Sequence, residues 1–243
     1  VEEVKQLGEK EASKILRQVA CALEHAHEAG FIHRDVKPKN IMISTKGDVK
    51  LADLGLARAL SDLETAEAEA GRAYGTPYYI SPEQIRGKIE ITPAADIYSL
   101  GATIYHLATG RLPFPGKNPS DVMHRHLKQA LVPPDHLNNS LSAGFSQIIE
   151  MMMAKDVAHR YQHARDLIED IDAVASGEQP KFAQPTLDFA MLSKVAKSTS
   201  SGAPVAPQTV SPPQTSALTS LYLTFLIISV VVNLILIAVL LAS

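Results

Sequence analysis

The stretch that decides the fold is His33-Arg34-Asp35-Val36-Lys37-Pro38-Lys39-Asn40, followed thirteen residues after Asn40 by Asp53-Leu54-Gly55. The carboxylate of Asp35 can accept a hydroxyl proton, and the ammonium group of Lys37 can neutralise charge beside it. Asn40 and Asp53 offer oxygen ligands of the kind that Mg²⁺ takes together with substrate phosphates. A base, a cation and metal ligands are what phosphoryl transfer requires, because this reaction depends on positioning and charge stabilisation.

The two stretches resemble the catalytic segments of protein kinases, whose patterns are H-R-D-x-x-x-x-N and D-F-G. The first pattern matches at every fixed position, and the second departs once, where Leu54 stands in place of Phe. The resemblance implies that Asp35 is the catalytic base and that Lys37 is a catalytic residue in contact with the ATP phosphate. It also implies that Asn40 and Asp53 bind both Mg²⁺ and ATP.

Three further motifs follow in the order found in kinases: Gly75-Thr76-Pro77-Tyr78-Tyr79-Ile80-Ser81-Pro82-Glu83, Asp96-Ile97-Tyr98-Ser99-Leu100-Gly101 and Lys155-Asp156-Val157-Ala158-His159-Arg160-Tyr161. By resemblance, Thr76 contacts the catalytic Asp and helps to accept the substrate segment. Asp96 is expected to hold the catalytic loop from below, and Glu83 is expected to pair with Arg160. His33 is expected to belong to a packed column of side chains beneath the active site.

Residues 54–83 form a long connection that is rich in Ala and Glu. Loops of this length are uncommon unless they are functional. The acidic part, residues 61–69, is predicted to be either a short helix with a solvated face or an activation loop in which Ser61 or Thr65 accepts phosphate. Arg34 favours the activation loop, because an Arg beside the catalytic Asp can pair with a phosphate and order the segment.

Hydrophobic periodicity predicts a mainly helical (α+β) fold with one small β-hairpin. The predicted elements are a helix over residues 1–30 that Gly30 ends, strands Ile41-Met42-Ile43 and Val49-Lys50-Leu51, and helices over residues 94–108, 121–130, 143–154 and 163–175. The hairpin would place Asn40 and Asp53 at its ends, facing one cavity. By resemblance Met42 touches the adenine of ATP, although core packing explains a Met at this position equally well.

Composition excludes some classes of function. The chain has 243 residues, a net charge of −3 and no cluster of Lys and Arg, so nothing favours a nucleic-acid partner. Its single cysteine, Cys21, excludes an intramolecular disulfide framework. We expect Cys21 to be a small buried residue of the first helix.

The carboxyl-terminal part of the chain differs in character from the rest. Residues 1–178 are predicted to form the kinase domain portion, and residues 179–220 a flexible linker rich in Pro, Ser and Thr. Residues 221–241 are an uncharged run that would span about 31 Å as a helix, enough to cross a membrane. A buried soluble helix is the alternative. Asn233 could hydrogen-bond to a second copy and favour self-association, and lysines before the span predict that the kinase portion is cytoplasmic.

The chain is therefore identified as the carboxyl-terminal lobe of a eukaryotic-like serine/threonine protein kinase of the bacterial type. ATP, Mg²⁺, protein substrates and the lipid bilayer are its expected cofactors and partners. No Gly-rich loop, strand Lys or helix Glu of the family's upper lobe precedes His33, so we expect a fragment that is inactive alone. The alternative is a non-catalytic, membrane-anchored, kinase-like interaction protein. The intact Asp35, Asn40 and Asp53 favour an enzyme.

Overall fold

Helices predominate in the computed structural model of the protein, which describes residues 6–53, 58–59 and 77–184. All of these residues belong to one unit of the chain, which ends at Thr186. The elements in chain order are α1 (Glu9–Glu28), β1 (Phe31–Ile32), β2 (Ile41–Ile43), β3 (Val49–Leu51), β4 (Arg58–Ala59), α2 (Pro82–Ile85), α3 (Ala94–Thr109), α4 (Pro119–Lys128), α5 (Pro134–Leu137), α6 (Ala143–Met152) and α7 (Ala164–Ala175). The predicted mainly helical fold with a small hairpin is confirmed.

Helix α1 forms because its apolar residues recur at helical spacing and bury one face: Ala12, Ile15, Leu16, Val19, Ala20 and Leu23. It ends at Glu28, and Gly30 beyond it takes a φ of +78°, which glycine adopts at little cost, as predicted. The prediction of a helix is wrong for residues 6–8. Gly8 has an extended backbone, and the N–H of Leu7 donates to the carbonyl of Leu107 at 2.8 Å.

Helix α3 is the centre of the core, and every one of its residues except Leu107 is buried. It packs against α1 on one side and α6 on another. A Cβ atom added at Gly101 would lie 2.8 Å from the Cβ of Met152, so this glycine permits the close approach of α3 and α6. The predicted helices at 94–108, 121–130, 143–154 and 163–175 agree with α3, α4, α6 and α7 to within two residues at each end.

Two antiparallel strand pairs accompany the helices. Strands β2 and β3 pair with Ile41 opposite Leu51 and Ile43 opposite Val49, which confirms the predicted hairpin. Strand β1 pairs with β4, and this pair was not predicted. Each of those strands has only two residues, too few for an alternating pattern to stand out in the sequence.

The described fold continues beyond residue 178, although the predicted linker begins at residue 179. Asp170 of α7 is fully buried. Its carboxylate accepts a hydrogen bond from the Tyr161 hydroxyl at 2.7 Å and further bonds from the backbone N–H groups of Lys181, Phe182 and Ala183. A buried carboxylate is costly unless it is hydrogen-bonded, and these donors satisfy it. They also fasten residues 181–183 to the domain.

Among the described residues, no helix combines the length and the apolar character needed to cross a membrane. The predicted span at residues 221–241 and residues 185–220 of the predicted linker lie outside the described part of the chain.

Candidate active site

Asp96, fully buried on α3, holds the loop that contains Asp35 from below. Its carboxylate accepts hydrogen bonds from the backbone N–H groups of His33 at 2.8 Å and Arg34 at 2.7 Å. The Nε2 atom of His27, near the end of α1, lies 2.8 Å from the same carboxylate. Hydrogen bonds to a charged acceptor are roughly twice as strong as neutral ones. Asp96 therefore fixes the main chain immediately before Asp35.

Arg34 has a left-handed backbone, with a φ of +68°. This conformation costs a residue with a side chain about 1–2 kcal/mol. Hydrogen bonds to the N–H and to the carbonyl of Arg34 offset this cost. Its N–H is bound to Asp96, and its carbonyl accepts a hydrogen bond from Nε2 of Gln84 at 2.9 Å. Gln84 lies in α2, directly after Glu83. Gln84 was not predicted as a residue of the site, because nothing in the local sequence pattern indicates a contact fifty residues away.

His33 is fully buried between the catalytic loop and the hairpin. Its Nδ1 atom accepts a hydrogen bond from the N–H of Asp35 at 3.3 Å, and its Nε2 atom lies 3.2 Å from the carbonyl of Ala52. These two partners assign the hydrogen to Nε2, since a carbonyl can only accept. The ring thus joins the backbone of Asp35 to the residue next to Asp53.

Asp35, Lys37 and Asn40 form one cluster. The Nζ atom of Lys37 lies 2.6 Å from Oδ2 of Asp35, and Nδ2 of Asn40 donates to the same oxygen at 3.1 Å and to the Asp35 carbonyl at 2.8 Å. The side chain of Asp35 is 20% exposed, so its carboxylate is held in place and still reaches the surface. Below the cluster, the hydroxyl of Thr103 donates to the carbonyl of Ser99 at 2.9 Å, and its oxygen lies 3.4 Å from the carbonyl oxygen of Val36.

Asn40 and Asp53 lie at the open end of the hairpin. The N–H of Ala52 donates to the Asn40 carbonyl at 2.8 Å, which extends the β2–β3 ladder and places Asp53 one residue beyond this bond. Asp53 has a φ of +65°, and it shares this left-handed conformation with Arg34. Strained backbone of this kind clusters at functional sites.

The oxygens of Asn40 and Asp53 suit Mg²⁺, which is usually bound by one or two carboxylates, water and substrate phosphates. Within the described ranges, no group of three or more His, Cys, Asp or Glu side chains could hold a metal ion.

Apolar side chains next to this site face outward. Met42 is 62% exposed, and Ile43 and Phe31 are about half exposed. The explanation of Met42 as a core residue is therefore wrong.

Glu83 and Arg160 form a bidentate ion pair, with distances of 2.8 and 2.9 Å between guanidinium nitrogens and carboxylate oxygens. The side chain of Arg160 is completely buried and that of Glu83 is 3% exposed. The guanidinium group also donates to the carbonyls of Ala94 and Ala154 and lies over the Tyr98 ring. The pair ties α2 to α3 and to the segment before α7.

Three predicted residues, Ser61, Thr65 and Thr76, lie outside the described residues, as do Leu54 and Gly55. Among the other predicted residues, the structure joins the side chains of Asp35, Lys37 and Asn40 and pairs that of Glu83, in α2, with that of Arg160. Asp53 lies at the hairpin end beside Asn40, His33 and Asp96 lie beneath the catalytic loop, and Met42 faces outward on β2.

Comparison with known proteins gives the class to which this site belongs. The sequence model of the protein kinase domain matches residues 1–170 of the chain. The chain belongs to the protein kinase family.

Its relatives are bacterial serine/threonine kinases. The chain is 37% identical over 179 residues to serine/threonine-protein kinase PknB of Mycobacterium tuberculosis, a match that covers 74% of this chain and 28% of the relative. It is 39% identical over 178 residues to the probable serine/threonine-protein kinase CE0033 of Corynebacterium efficiens, covering 72% of this chain and 27% of the relative. The matched region thus spans just over a quarter of the length of these curated relatives.

Proposed function

We propose that the chain is the lower lobe of a protein serine/threonine kinase that transfers the γ-phosphoryl group of ATP to Ser or Thr hydroxyls of proteins. The observation that carries this proposal is the cluster of Asp35, Lys37 and Asn40. Asp96 and His33 hold the backbone of the loop that carries these side chains. Phosphoryl transfer requires such support, because the reaction depends on positioning. Lys37 and the Thr76 position resemble the serine/threonine branch of the family.

In this proposal Asp35 accepts the proton of the substrate hydroxyl as its oxygen forms a bond to the γ-phosphorus. The bond between the γ-phosphorus and the bridging oxygen breaks, and ADP leaves. Lys37, already 2.6 Å from the base, neutralises charge on the moving phosphoryl group. Asn40 and Asp53 would hold Mg²⁺, which supplies positive charge at the phosphate oxygens.

The protein substrates approach, in this proposal, along the segment that precedes α2. Ser61 or Thr65 would be the regulatory phosphate acceptor, with Arg34 as the partner of the phosphate. Met42 would contact the adenine from its exposed position on β2.

We further propose that residues 221–241 anchor the chain in a membrane, with the kinase portion on the cytoplasmic side and Asn233 favouring self-association. The uncharged run and its length support this anchor. Alkaline carbonate extraction of membranes from expressing cells tests it. The full chain should stay with the lipid, and a chain that stops at residue 220 should be released. Release of both would refute the anchor.

Metal binding tests the proposed site directly. The described residues would form only one side of an ATP site. The test therefore uses a fusion protein in which the upper lobe of a serine/threonine kinase of this family precedes Val1. We call this protein the two-lobe kinase. Asp53→Ala should remove Mg²⁺-dependent ATP affinity in calorimetry, since Asp53 is the proposed carboxylate ligand.

The matched control is Asp48→Ala, which removes an exposed carboxylate at the opposite end of the same hairpin. This control should bind Mg·ATP as the parent does. Unchanged affinity in Asp53→Ala would remove Asp53 from the metal site.

A further inference from the structure

His126 is a buried histidine on α4 that has hydrogen-bond partners at both ring nitrogens. It is fully buried, whereas His124 on the same helix is exposed. Its Nε2 atom lies 3.1 Å from the carbonyl oxygen of Tyr78, and its Nδ1 atom lies 2.9 Å from the hydroxyl of Tyr98. A carbonyl oxygen can only accept, so the hydrogen lies on Nε2. Nδ1 then accepts the hydroxyl proton of Tyr98.

The surroundings keep the side chains of His126 and Tyr98 uncharged. Burial lowers the pKa of His126 to about 3, and the nearby positive charge of Lys155 contributes in the same direction. Burial also raises the pKa of Tyr98 far above its usual value, so its hydroxyl keeps the proton. The ring of Phe114 packs with its edge toward His126, at 4.9 Å between ring centres. The donor and acceptor roles therefore stay the same over the physiological pH range.

The hydrogen bond from His126 supports the main chain at Tyr78. Within the described part of the chain, no backbone-to-backbone hydrogen bond involves Tyr78, Tyr79 or Ile80. Side chains hold the segment instead: His126 holds the Tyr78 carbonyl, and the Tyr79 hydroxyl lies 2.8 Å from Nδ1 of His106.

A single buried network links the two ends of this segment. From the Tyr78 carbonyl it passes through His126 to Tyr98, whose ring lies 4.6 Å below the guanidinium carbon of Arg160. Arg160 then holds Glu83 through the bidentate pair. Contacts from α3 and α4 therefore hold residues 78–80 in place, whereas residues 81–83 also make backbone hydrogen bonds within and just after α2.

We propose that His126 is a positioning residue that shapes residues 78–80 for binding the acceptor peptide. This rests on the proposed kinase function, in which the peptide lies against the segment that follows Thr76. His126 touches neither the cluster around Asp35 nor the hairpin end. Its loss should therefore weaken peptide binding and leave the phosphoryl-transfer step intact.

Steady-state kinetics of the two-lobe kinase separates these effects. His126→Leu places an apolar side chain of similar size there and removes both hydrogen bonds of the ring, the one to the Tyr78 carbonyl and the one from the Tyr98 hydroxyl. The KM for a Ser/Thr peptide should rise about tenfold, since loss of one buried hydrogen bond is on the order of a factor of ten. The kcat and the KM for ATP should stay within about twofold. His126→Gln, which can still donate to Tyr78, should restore most of the peptide affinity.

His124→Leu, on the exposed face of α4, is the matched control and should leave all constants unchanged. A fall in kcat with no change in the peptide KM of His126→Leu would overturn the proposal. So would a failure of His126→Gln to improve on His126→Leu.

A second measurement needs no catalysis, so the positioning role can fail or succeed independently of the kinase function. In the full 243-residue chain, limited chymotrypsin digestion followed by mass spectrometry reports cleavage after Tyr78 and Tyr79. His126→Leu should speed cleavage there about tenfold, while cleavage at Tyr105 and Phe145, both buried, stays at the parental rate. Unchanged cleavage after Tyr78 and Tyr79 would overturn the positioning role. A two-lobe kinase without any phosphate transfer would refute the proposed function instead.

Discussion

The ion pair between Glu83 and Arg160 offers a sharp test of how the lobe is held together. Both side chains are almost completely removed from water, and all five N–H donors of Arg160 are engaged. Glu83→Gln removes the charge and leaves the guanidinium buried without its counterion. Arg160→Met leaves the Glu83 carboxylate buried and also deprives backbone carbonyls of their donors.

The structure sets the expected size of these effects. Breaking a buried ion pair by removing one partner costs about 3–5 kcal/mol, because the remaining charge stays in a poorly solvating site. Arg160→Met should lie at the upper end of this range, since the carbonyls of Ala94, Ala154 and Lys155 lose a donor as well. The double variant leaves no unpaired charge, so we expect a coupling energy of about 2–3 kcal/mol.

Urea denaturation of the parent, both single variants and the double variant measures this coupling. The chain offers a matched control in Arg17 and Asp172, another bidentate pair whose side chains are each 48% exposed. The hydrogen bond from Arg17 lowers the pKa of Asp172, but such exposed pairs contribute only about 0–1 kcal/mol. A coupling near zero for Glu83 and Arg160, or equal coupling in the two pairs, would show that burial does not strengthen the Glu83–Arg160 pair.

Two further predictions concern buried groups outside the active site. Asp170→Asn should lower the free energy of unfolding by about 2–4 kcal/mol, because an amide cannot accept hydrogen bonds from all the buried donors around Asp170. The same change at the half-exposed Asp172 should cost under about 1 kcal/mol. Equal losses in the two variants would contradict the role of Asp170 as a buried acceptor. The free energy of unfolding should also fall by about 1 kcal/mol between about pH 7.5 and 5.5 through His126. Its folded pKa of about 3 lies below the unfolded value of about 6.5, so its contribution is complete above pH 6.5 and is lost as the pH falls toward 3. His126→Gln should lack this part of the pH dependence in urea titrations, and an identical dependence in both proteins would contradict the burial of a neutral ring.

Local patterns account for what the sequence predicted correctly. Two short runs with the turn Lys46-Gly47-Asp48 between them predicted the hairpin of β2 and β3, and its register is a finding of the structure. Helical periodicity predicted α3, and Gly30 marks the end of α1. Each of these signals depends on residues close together in the chain.

Contacts between distant residues could not be predicted in the same way. Gln84 holds the strained Arg34, and Asp170 fastens residues 181–183, yet both look like ordinary polar residues of short or amphipathic helices. Cys21 was expected to be buried and is exposed, because it lies off the apolar face of α1. Tertiary packing decides which side chains are buried and which hydrogen-bond partners they find, and it overrides local secondary-structure propensity.

The candidate active site likewise combines residues that a local motif identifies with distant contacts that it does not. The motif identified Asp35, Lys37 and Asn40, which the structure joins in one cluster, and it indicated Asp96 beneath them. The motif did not indicate how the loop is strained. The left-handed backbone of Arg34 follows from hydrogen bonds on both sides of the residue, and these come from two helices far along the chain.

The proposed function requires Asp35 to act as the base of the phosphoryl-transfer site, and a kinetic comparison of two variants tests this role. Phosphate transfer from ATP to a Ser/Thr peptide is followed in the two-lobe kinase carrying Asp35→Asn, beside the control Asp48→Asn at the exposed hairpin turn. Loss of a positioned general base should lower kcat roughly 10²- to 10⁴-fold while Mg·ATP binding persists, and the control should match the parent. Near-parental turnover of Asp35→Asn would contradict the account.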